Sequence, residues 1–285
     1  MTTTLSSPRH ARATTTQTRP QTLGRAIRAE WIKIRSLRGT WIGMAAVAVV
    51  MIGFGAIASA VSSGSIAGPG DGPGPGGGPF AGGGALSTVL TGSTFAVLLI
   101  GVLGSLAGAR EYSSRMITAT VAAVPRRWQV VVAKTVALSA VVVPTALVAV
   151  LGSYAAGMAI LSANDAPTVS LTDDGVLTSL LGMVGYITAI ALIGLGLGVL
   201  LRSVAGSIGV VVGGIMILPN IAGALLPDSW DTILRFLPSS AASAFTAVAA
   251  AGDSKLGSAA GVAVLVAWVV AALVAAAFAM RSRDV

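Results

Sequence analysis

The chain has 285 residues, of which 54% are hydrophobic and only 10% charged, whereas soluble domains carry about 25% charged residues. It contains no cysteine and a single histidine, His10, which excludes a disulfide framework, a thiolate metal site and a histidine-centred metal site or catalytic triad. A net charge of +8 is typical of nucleic-acid-binding proteins, but its distribution along this chain assigns it to membrane topology, and no nucleic-acid partner is expected.

Six apolar stretches are predicted to cross the membrane as helices, because each has the roughly 18 or more residues that about 30 Å of hydrocarbon requires. Sixteen of the eighteen Lys and Arg fall on one side of these stretches, and only Arg235 and Lys255 fall on the other. Basic residues resist translocation, so that side is predicted to be the cytoplasm, with both chain ends in it. We expect an all-α, polytopic membrane protein whose transmembrane domain covers 40–285, with spans at 41–61, 86–108, 130–160, 177–201, 204–221 and 259–280.

The N-terminal region is predicted to contain a tail and an interfacial helix. Residues 1–21 have almost nothing to bury and are expected to be a disordered cytoplasmic tail. Residues 22–39 place apolar and basic side chains on opposite arcs, which predicts an amphipathic helix along the inner membrane surface. Glu30 falls on the apolar arc, where a carboxylate needs a cationic partner. Two roles stay open for this helix, anchoring to anionic lipid or acting as a lever on the bundle, and its candidate residues are Glu30, Trp31, Lys33 and Arg35.

The polar segment between the second and third spans has the features of a compact cytoplasmic helix. A serine can cap a helix over about 114–123, and Pro125 breaks it. Basic residues and a tryptophan then mark the start of the third span. Three apolar side chains are spaced so that they could face a partner, although they could instead rest on the bilayer surface or the bundle end: Met116, Ile117 and Val121.

Two further features concern the spans themselves. Pro144, in the third span, removes one backbone hydrogen bond and is expected to bend the helix. Gly-xxx-Gly pairs permit close helix contact, but a chain with 36 glycines produces several by chance. Examples are Gly104/Gly108, Gly194/Gly198 and Gly209/Gly213.

The segment after the fifth span is too apolar for an ordinary external loop and too often interrupted by proline for another crossing. Two short re-entrant helices that dip back into the outer leaflet fit this pattern. The alternative is an amphipathic segment that lies on the membrane surface. The residues that define the region are Pro219, Pro227, Trp230 and Pro238.

The chain lacks the residues of a catalytic centre and of an energy source. None of its lysines, Lys33, Lys134 and Lys255, follows the glycine that a phosphate-binding P-loop requires. No acidic residue lies inside a predicted span, which argues against an aspartyl intramembrane protease and against proton- or sodium-coupled transport. We therefore expect a transport subunit rather than an enzyme, with no cofactor or metal of its own, driven by an external motor.

Three segments resemble permease subunits of type-2 ATP-binding-cassette exporters, particularly those of high-GC actinobacteria. They are residues 26–41 (AIRAEWIKIRSLRGTW), 109–135 (AREYSSRMITATVAAVPRRWQVVVAKT) and 225–245 (LLPDSWDTILRFLPSSAASAF). In that family the first is a connecting helix on the inner face, the second holds the coupling helix that docks on the ATPase, and the third forms re-entrant helices. The resemblance covers nearly the whole chain after residue 22, and the long Gly/Pro stretch at 68–84 is a departure from it.

The resemblance implies an assembly of two permease copies, expected to be a homodimer, with two copies of a separate ATPase that holds ATP and Mg, in a bacterial cell membrane. As a hypothesis, Glu111 pairs with a basic residue near the coupling helix and fixes its angle. The implied coupling residues are Glu111, Tyr112, Ser113, Arg115, Met116, Ile117, Val121, Arg126 and Arg127. An alternative function on the same scaffold is a non-transporting membrane partner, such as an immunity or regulatory subunit.

Overall fold

The computed structural model describes residues 22–66, 84–113, 128–246 and 256–282, and this part of the chain is helical without any β-strand. The expected all-α class is confirmed for these residues. The predicted tail at 1–21 and the predicted coupling helix at 114–123 lie outside them. The elements are α1 (Leu23–Ser36), α2 (Arg38–Ser62), α3 (Ala85–Val89), α4 (Ser93–Ser113), α5 (Trp128–Ala163), α6 (Val176–Leu201), α7 (Val204–Val210), a π-helical segment (Val211–Ile217), α8 (Leu218–Leu225), a 3-10 turn (Asp228–Trp230), α9 (Asp231–Leu234), α10 (Pro238–Thr246) and α11 (Ser258–Ser282).

Five of these helices are long and apolar enough to cross a membrane. They span Arg38–Ser62, Ser93–Tyr112, Trp128–Ala163, Val176–Leu201 and Ser258–Ser282. Large apolar side chains stay exposed along their outer faces, among them Ile42, Val148 and Val274, each more than 60% exposed. An extended apolar surface of this kind is stable against hydrocarbon and not against water. The fold is that of a membrane-embedded helical protein.

Several helix ends meet at one end of the bundle, which we call the basic end. An apolar cluster joins the start of α5 to the ends of α6 and α11, and Tyr112 at the end of α4 packs against it. Nine of the ten Lys and Arg in the described residues lie at this end: Arg25, Arg28, Lys33, Arg35, Arg38, Arg110, Lys134, Arg202 and Arg281. The partition of charge in the sequence therefore corresponds to a physical end of the bundle.

The second predicted span, 86–108, is divided in the structure. Its first part forms the short helix α3, and α4 begins only at Ser93 and continues to Ser113. Gly92, in the turn between them, lies so close to α2 that an added Cβ would collide with the backbone of Met51. Ser153 of α5 donates a hydrogen bond of 2.6 Å to the carbonyl of Val89, which fixes α3 between α2 and α5. The spanning helix is thus displaced towards the basic end.

The fifth predicted span, 204–221, is not one continuous α-helix. The chain is helical from α7 to α8, but the middle segment, Val211–Ile217, has π-helical geometry. Adjacent glycines at 213 and 214 weaken the helix, and Pro219 lacks the N–H that would continue the α-helical ladder. Because α6 ends at the basic end and α11 begins at the opposite end, the chain between them traverses the length of the bundle.

The segment between α8 and α11 folds back along the bundle. Phe245 of α10 lies against Gly182 near the start of α6. Gly261, near the start of α11, also packs against α10. Trp268, near the middle of the 25-residue α11, donates its indole N–H to the carbonyl of Phe236 at 2.9 Å. The turn that precedes α10 therefore lies beside the middle of a spanning helix, and its backbone is hydrogen-bonded there.

The residues predicted to mark this region all lie at its breaks. Pro219 occupies the first turn of α8, and Pro227 lies in the connection that follows α8. Trp230 ends the 3-10 turn and is 46% exposed. Pro238 is the first residue of α10 and is buried. Proline thus lies in the first turn of α8 and of α10, where its missing backbone N–H leaves no helical hydrogen bond unmade.

Helices α4 and α6 make the most extensive contact in the bundle. Gly104 and Gly108 of α4 lie where an added Cβ would collide with the carbonyl oxygens of Ala191 and Leu195. On α6, the pair 194 and 198 faces α4 in the same way. Small residues on both helices allow the two backbones to approach closely, which is the main route to tight packing in lipid.

We predict that Gly104→Ala lowers the thermal unfolding midpoint of the purified protein, because the new methyl group forces two backbones apart. Gly185→Ala is the matched control, since Gly185 on α6 has open space around its Cα. There the substitution should be neutral or stabilise by up to about 1 kcal/mol through helix propensity. Equal behaviour of the two variants would show that close packing of α4 on α6 is not a constraint.

Candidate functional site

Four charged side chains form a closed ring at the basic end, and we call them the four-charge ring: Glu30, Lys33, Glu111 and Lys134. The Lys33 ammonium donates to Glu30 Oε1 at 2.7 Å and to Glu111 Oε1 at 2.9 Å. The Lys134 ammonium donates to Glu30 Oε2 at 2.9 Å and to Glu111 Oε1 at 2.6 Å. Each charge therefore contacts two charges of the opposite sign.

The ring assembles because three separate parts of the chain meet at the basic end. Glu30 and Lys33 are three residues apart on α1, so they lie on the same face of that helix. Glu111 lies in the last turn of α4, and Lys134 lies in the second turn of α5. The last two residues flank segment 114–127, so the ring connects both ends of that segment to α1.

Burial makes the pairing of these charges necessary. Glu30 and Lys134 are each only 6% exposed, although they carry opposite full charges. An ionised group without a partner in such surroundings costs several kcal/mol, whereas a neutral hydrogen-bonded set offsets most of that cost. The Lys33 side chain is 39% exposed and forms the side of the ring that faces outward.

The ring also changes the acid–base behaviour of Lys33. Partial burial acts to lower its pKa, but the hydrogen bonds to the Glu30 and Glu111 carboxylates outweigh burial and raise the pKa above the ordinary 10.5. Lys33 is therefore charged throughout the physiological range, and the ring does not titrate there through this residue.

The structure brings together three of the predicted site residues, namely Glu30, Lys33 and Glu111. Glu30, which the sequence places on the apolar arc of the predicted helix, pairs with the ammonium groups of Lys33 and Lys134. Trp31 and Arg35 are exposed on α1 and do not join the ring. Six further predicted residues lie outside the described residues, together with the predicted coupling helix: Arg115, Met116, Ile117, Val121, Arg126 and Arg127.

Tyr112 and Ser113 end α4 beside the ring. The Tyr112 ring packs on the apolar cluster of the basic end, and the guanidinium of Arg202 lies 5.1 Å from its centroid. This contact places a cation over an aromatic face and ties the turn between α6 and α7 to the end of α4. The end of α4 is thus held from two sides, by the ring and by Arg202.

Lys134 is the ring member that the sequence reasoning did not select. Its signal was present, because a single lysine inside a 36-residue apolar helix is costly and marks a functional or structural partner. Glu111 was expected to lie beyond its span, and the extension of α4 to Ser113 instead places it in the last helical turn. Both residues therefore belong to helices rather than to the segment between them.

A cavity of about 170 Å³ lies under α1, next to the ring. Ring side chains and Arg110 form its polar side, and apolar residues of α2, α4, α5 and α6 form the rest. A second, almost wholly apolar groove of about 560 Å³ lies between α5, α6, α10 and α11, lined by residues such as Val143, Leu181 and Val266. Within the described ranges, no three His, Cys, Asp or Glu side chains lie close enough to hold a metal.

Comparison with known proteins adds no family assignment. No protein-family model matches the sequence, and no curated protein matches it. Inference about function therefore depends on the residues of this chain and on their geometry. That geometry joins three separate chain segments through buried ion pairs.

We predict that Lys134→Met destabilises the protein by about 3–5 kcal/mol, because it leaves two carboxylates with one cation in a buried setting. Lys33→Met removes the same number of hydrogen bonds from a more exposed position, and its effect should be several times smaller. Chemical unfolding in detergent measures both. The double variant Glu30→Gln with Lys134→Met restores neutrality and should recover part of the loss; equal losses for both lysines would contradict a buried ring.

The raised pKa of Lys33 predicts a specific pH dependence. The stability that Lys33 contributes should be fully present below pH 10.5 and should be lost as the pH rises through its higher folded-state value. The difference in unfolding midpoint between the wild-type protein and Lys33→Met should therefore stay constant from pH 6 to about pH 10 and shrink above it. A difference that already declines between pH 7 and 9 would be inconsistent with this ion pairing.

Proposed function

We propose that this chain is the membrane-spanning permease subunit of an ATP-driven exporter of the type-2 ATP-binding-cassette class, driven by a separate ATPase. The observation that carries the proposal is the four-charge ring. It joins the amphipathic helix α1 to both ends of segment 114–127, which includes the predicted coupling helix. A permease needs such a connection, because the motor that drives it lies outside the membrane.

The ring gives a physical route by which a motor could move the bundle. A force on segment 114–127 acts on α4 and α5 together, because Glu111 and Lys134 are joined at 2.6 Å. The same ion pairs pass the displacement to α1, and the close glycine contact makes α6 move with α4. ATP binding by the partner would then shift the population between inward-open and outward-open bundles.

The apolar groove between α5, α6, α10 and α11 supports a cargo with a large apolar surface. Ligand sites are mostly apolar with few polar groups, and this groove of about 560 Å³ has that character. An amphipathic or lipid-like molecule, a drug or a peptide fits it better than a small ion. The packing of α10 beside the outer part of α6 supports a re-entrant segment that closes the outer end of the pathway.

The proposed assembly is a homodimer of this chain with two ATPase copies, in a bacterial cell membrane. ATP and Mg belong to the ATPase subunits, and this chain contributes no catalytic group. The chain crosses the bilayer six times, the broken helix from α7 to α8 being the fifth crossing. The concentration of basic residues at the basic end supports a cytoplasmic location for that end and for both termini.

The test is co-purification of the chain with the ATPase encoded beside it, followed by a screen for compounds that raise ATP hydrolysis. Glu111→Ala should leave insertion and co-purification intact but reduce the stimulated rate, roughly 5–150-fold in line with typical coupling energies of 1–3 kcal/mol. Asp231→Ala is the matched control, since Asp231 is an exposed carboxylate remote from the ring.

Three results would count against the proposal, each in a different way. Normal stimulation in Glu111→Ala would remove the coupling role of Glu111. Co-purification without stimulation by any compound would favour the non-transporting partner. Failure to associate with any ATPase would overturn the permease assignment as a whole.

A further inference from the structure

The turn between α9 and α10 lies deep along the bundle. The carbonyl of Phe236 in this turn accepts the indole N–H of Trp268, which lies ten residues, or about 15 Å, from the start of the 25-residue α11. Pro238, which ends the turn, is buried as the first residue of α10. Helix α11 is long and apolar enough to cross a membrane, so the turn lies well inside the hydrocarbon layer when α11 spans it.

This turn carries Arg235, the one Lys or Arg of the described residues that lies away from the basic end. Its Nε donates to the carbonyl of Thr232 at 3.1 Å, and its guanidinium lies 5.1 Å from the centroid of the Phe236 ring. Among the described residues no carboxylate forms an ion pair with Arg235, although Asp231 precedes it by one helical turn. An arginine at membrane depth is costly without an anion, and it marks a functional site by default.

Further hydrogen-bond donors follow Arg235 closely in the chain. The hydroxyl of Ser239 is buried and has no hydrogen-bond partner in the described part of the chain. Ser239 and Ser240 are the second and third residues of α10, where backbone N–H groups lack an intrahelical acceptor and the helix dipole favours an anion. Residues 235–240 thus offer a guanidinium, a hydroxyl and backbone N–H groups, and they include no acidic residue.

Large apolar side chains beside these donors are exposed. Ile233, Phe236 and Trp268 are each more than 40% exposed. An inorganic anion would gain from the donors alone, whereas the apolar part of an amphiphile would also cover these side chains. Ligand sites typically combine a mostly apolar surface with a few polar groups that fix orientation, and this turn has both.

We propose that the turn before α10 binds the anionic headgroup, a phosphate or a carboxylate, of an amphiphile. Arg235 pairs with the headgroup, the Ser239 hydroxyl and the first N–H groups of α10 donate to it, and the apolar part lies over Phe236 and Trp268. As a statement about cargo, this rests on the proposed function and narrows it to anionic amphiphiles. The binding itself needs no ATPase.

The test is a competition experiment on the full chain, purified in a neutral maltoside detergent, with radiolabelled dodecyl phosphate as the probe. We expect 1-dodecanol, which lacks the charge, and inorganic phosphate, which lacks the chain, to compete at least about tenfold more weakly than unlabelled dodecyl phosphate, a difference of about 1.4 kcal/mol. Phosphatidylglycerol distinguishes the source of the ligand. Competition as strong as that of dodecyl phosphate would support the site and assign it to a membrane lipid, and weaker competition would support a single-chain cargo.

Arg235→Gln separates this site from general attraction of anions to a basic protein. It should weaken binding of dodecyl phosphate at least about tenfold, because the headgroup loses its ion pair. Arg28→Gln is the matched control, since Arg28 is an exposed arginine on α1 at the opposite end of the bundle, and it should bind the probe like the wild-type protein.

Ser239→Ala covers the case in which Arg235→Gln does not fold. Because the Ser239 hydroxyl has no partner in the described structure, its removal should not lower the unfolding midpoint, yet it should weaken probe binding about threefold or more. Ser243→Ala is the control on the same helix, since the Ser243 hydroxyl already donates to the carbonyl of Ser240, and it should retain the affinity.

Two results would overturn the proposal: competition by 1-dodecanol as strong as that by dodecyl phosphate, or equal weakening of binding in Arg235→Gln and Arg28→Gln. Wild-type affinity in both Arg235→Gln and Ser239→Ala would overturn it as well. Failure to stimulate an ATPase would leave all these affinities unchanged, so failure of the proposed function and failure of this site are distinguishable.

Discussion

A carboxylate buried between helices has to be neutralised where it lies, and two such carboxylates organise the basic end of this protein. Glu30 and Glu111 come from helices far apart in the sequence, and each is held by the same two ammonium groups. Because removal of any partner would leave a buried charge, the three segments that carry the ring cannot separate at low cost. The position of α1 on the bundle is a consequence of this electrostatic requirement.

Packing in the spanning region follows a different rule from the ring. In lipid, burial of apolar side chains does not favour one helix arrangement over another, so close approach of backbones has to select it. The glycines of α4 and α6 supply that selection, and a polar link from Ser153 holds α3 between α2 and α5. Glycine contacts thus define how closely the spanning helices pack, and the ion pairs hold α1 against the adjoining parts of α4 and α5.

The membrane class and the basic end could be predicted from the sequence because hydropathy and charge are properties of the residues themselves. The need of Glu30 for a cation followed in the same way from its place on the apolar arc. The identity of the cations that pair with Glu30 depends on where α5 packs against α1, and the local sequence pattern does not determine that position. The pairs Gly104/Gly108 and Gly209/Gly213 look alike in sequence, yet only the first meets another helix. The division of the second span also depends on tertiary contacts, those of Gly92 with α2 and of Ser153 with Val89.

Helix α5 runs unbroken for 36 residues, about 54 Å, so it extends well beyond the roughly 30 Å of hydrocarbon. It is anchored at two points, by Lys134 at one boundary and by Ser153 about 28 Å further along. Pro144 lies halfway between these anchors and removes one rung of the helical ladder there. The helix therefore has one weakened position midway between its two anchors, and any change of tilt between its two halves would be concentrated at Pro144.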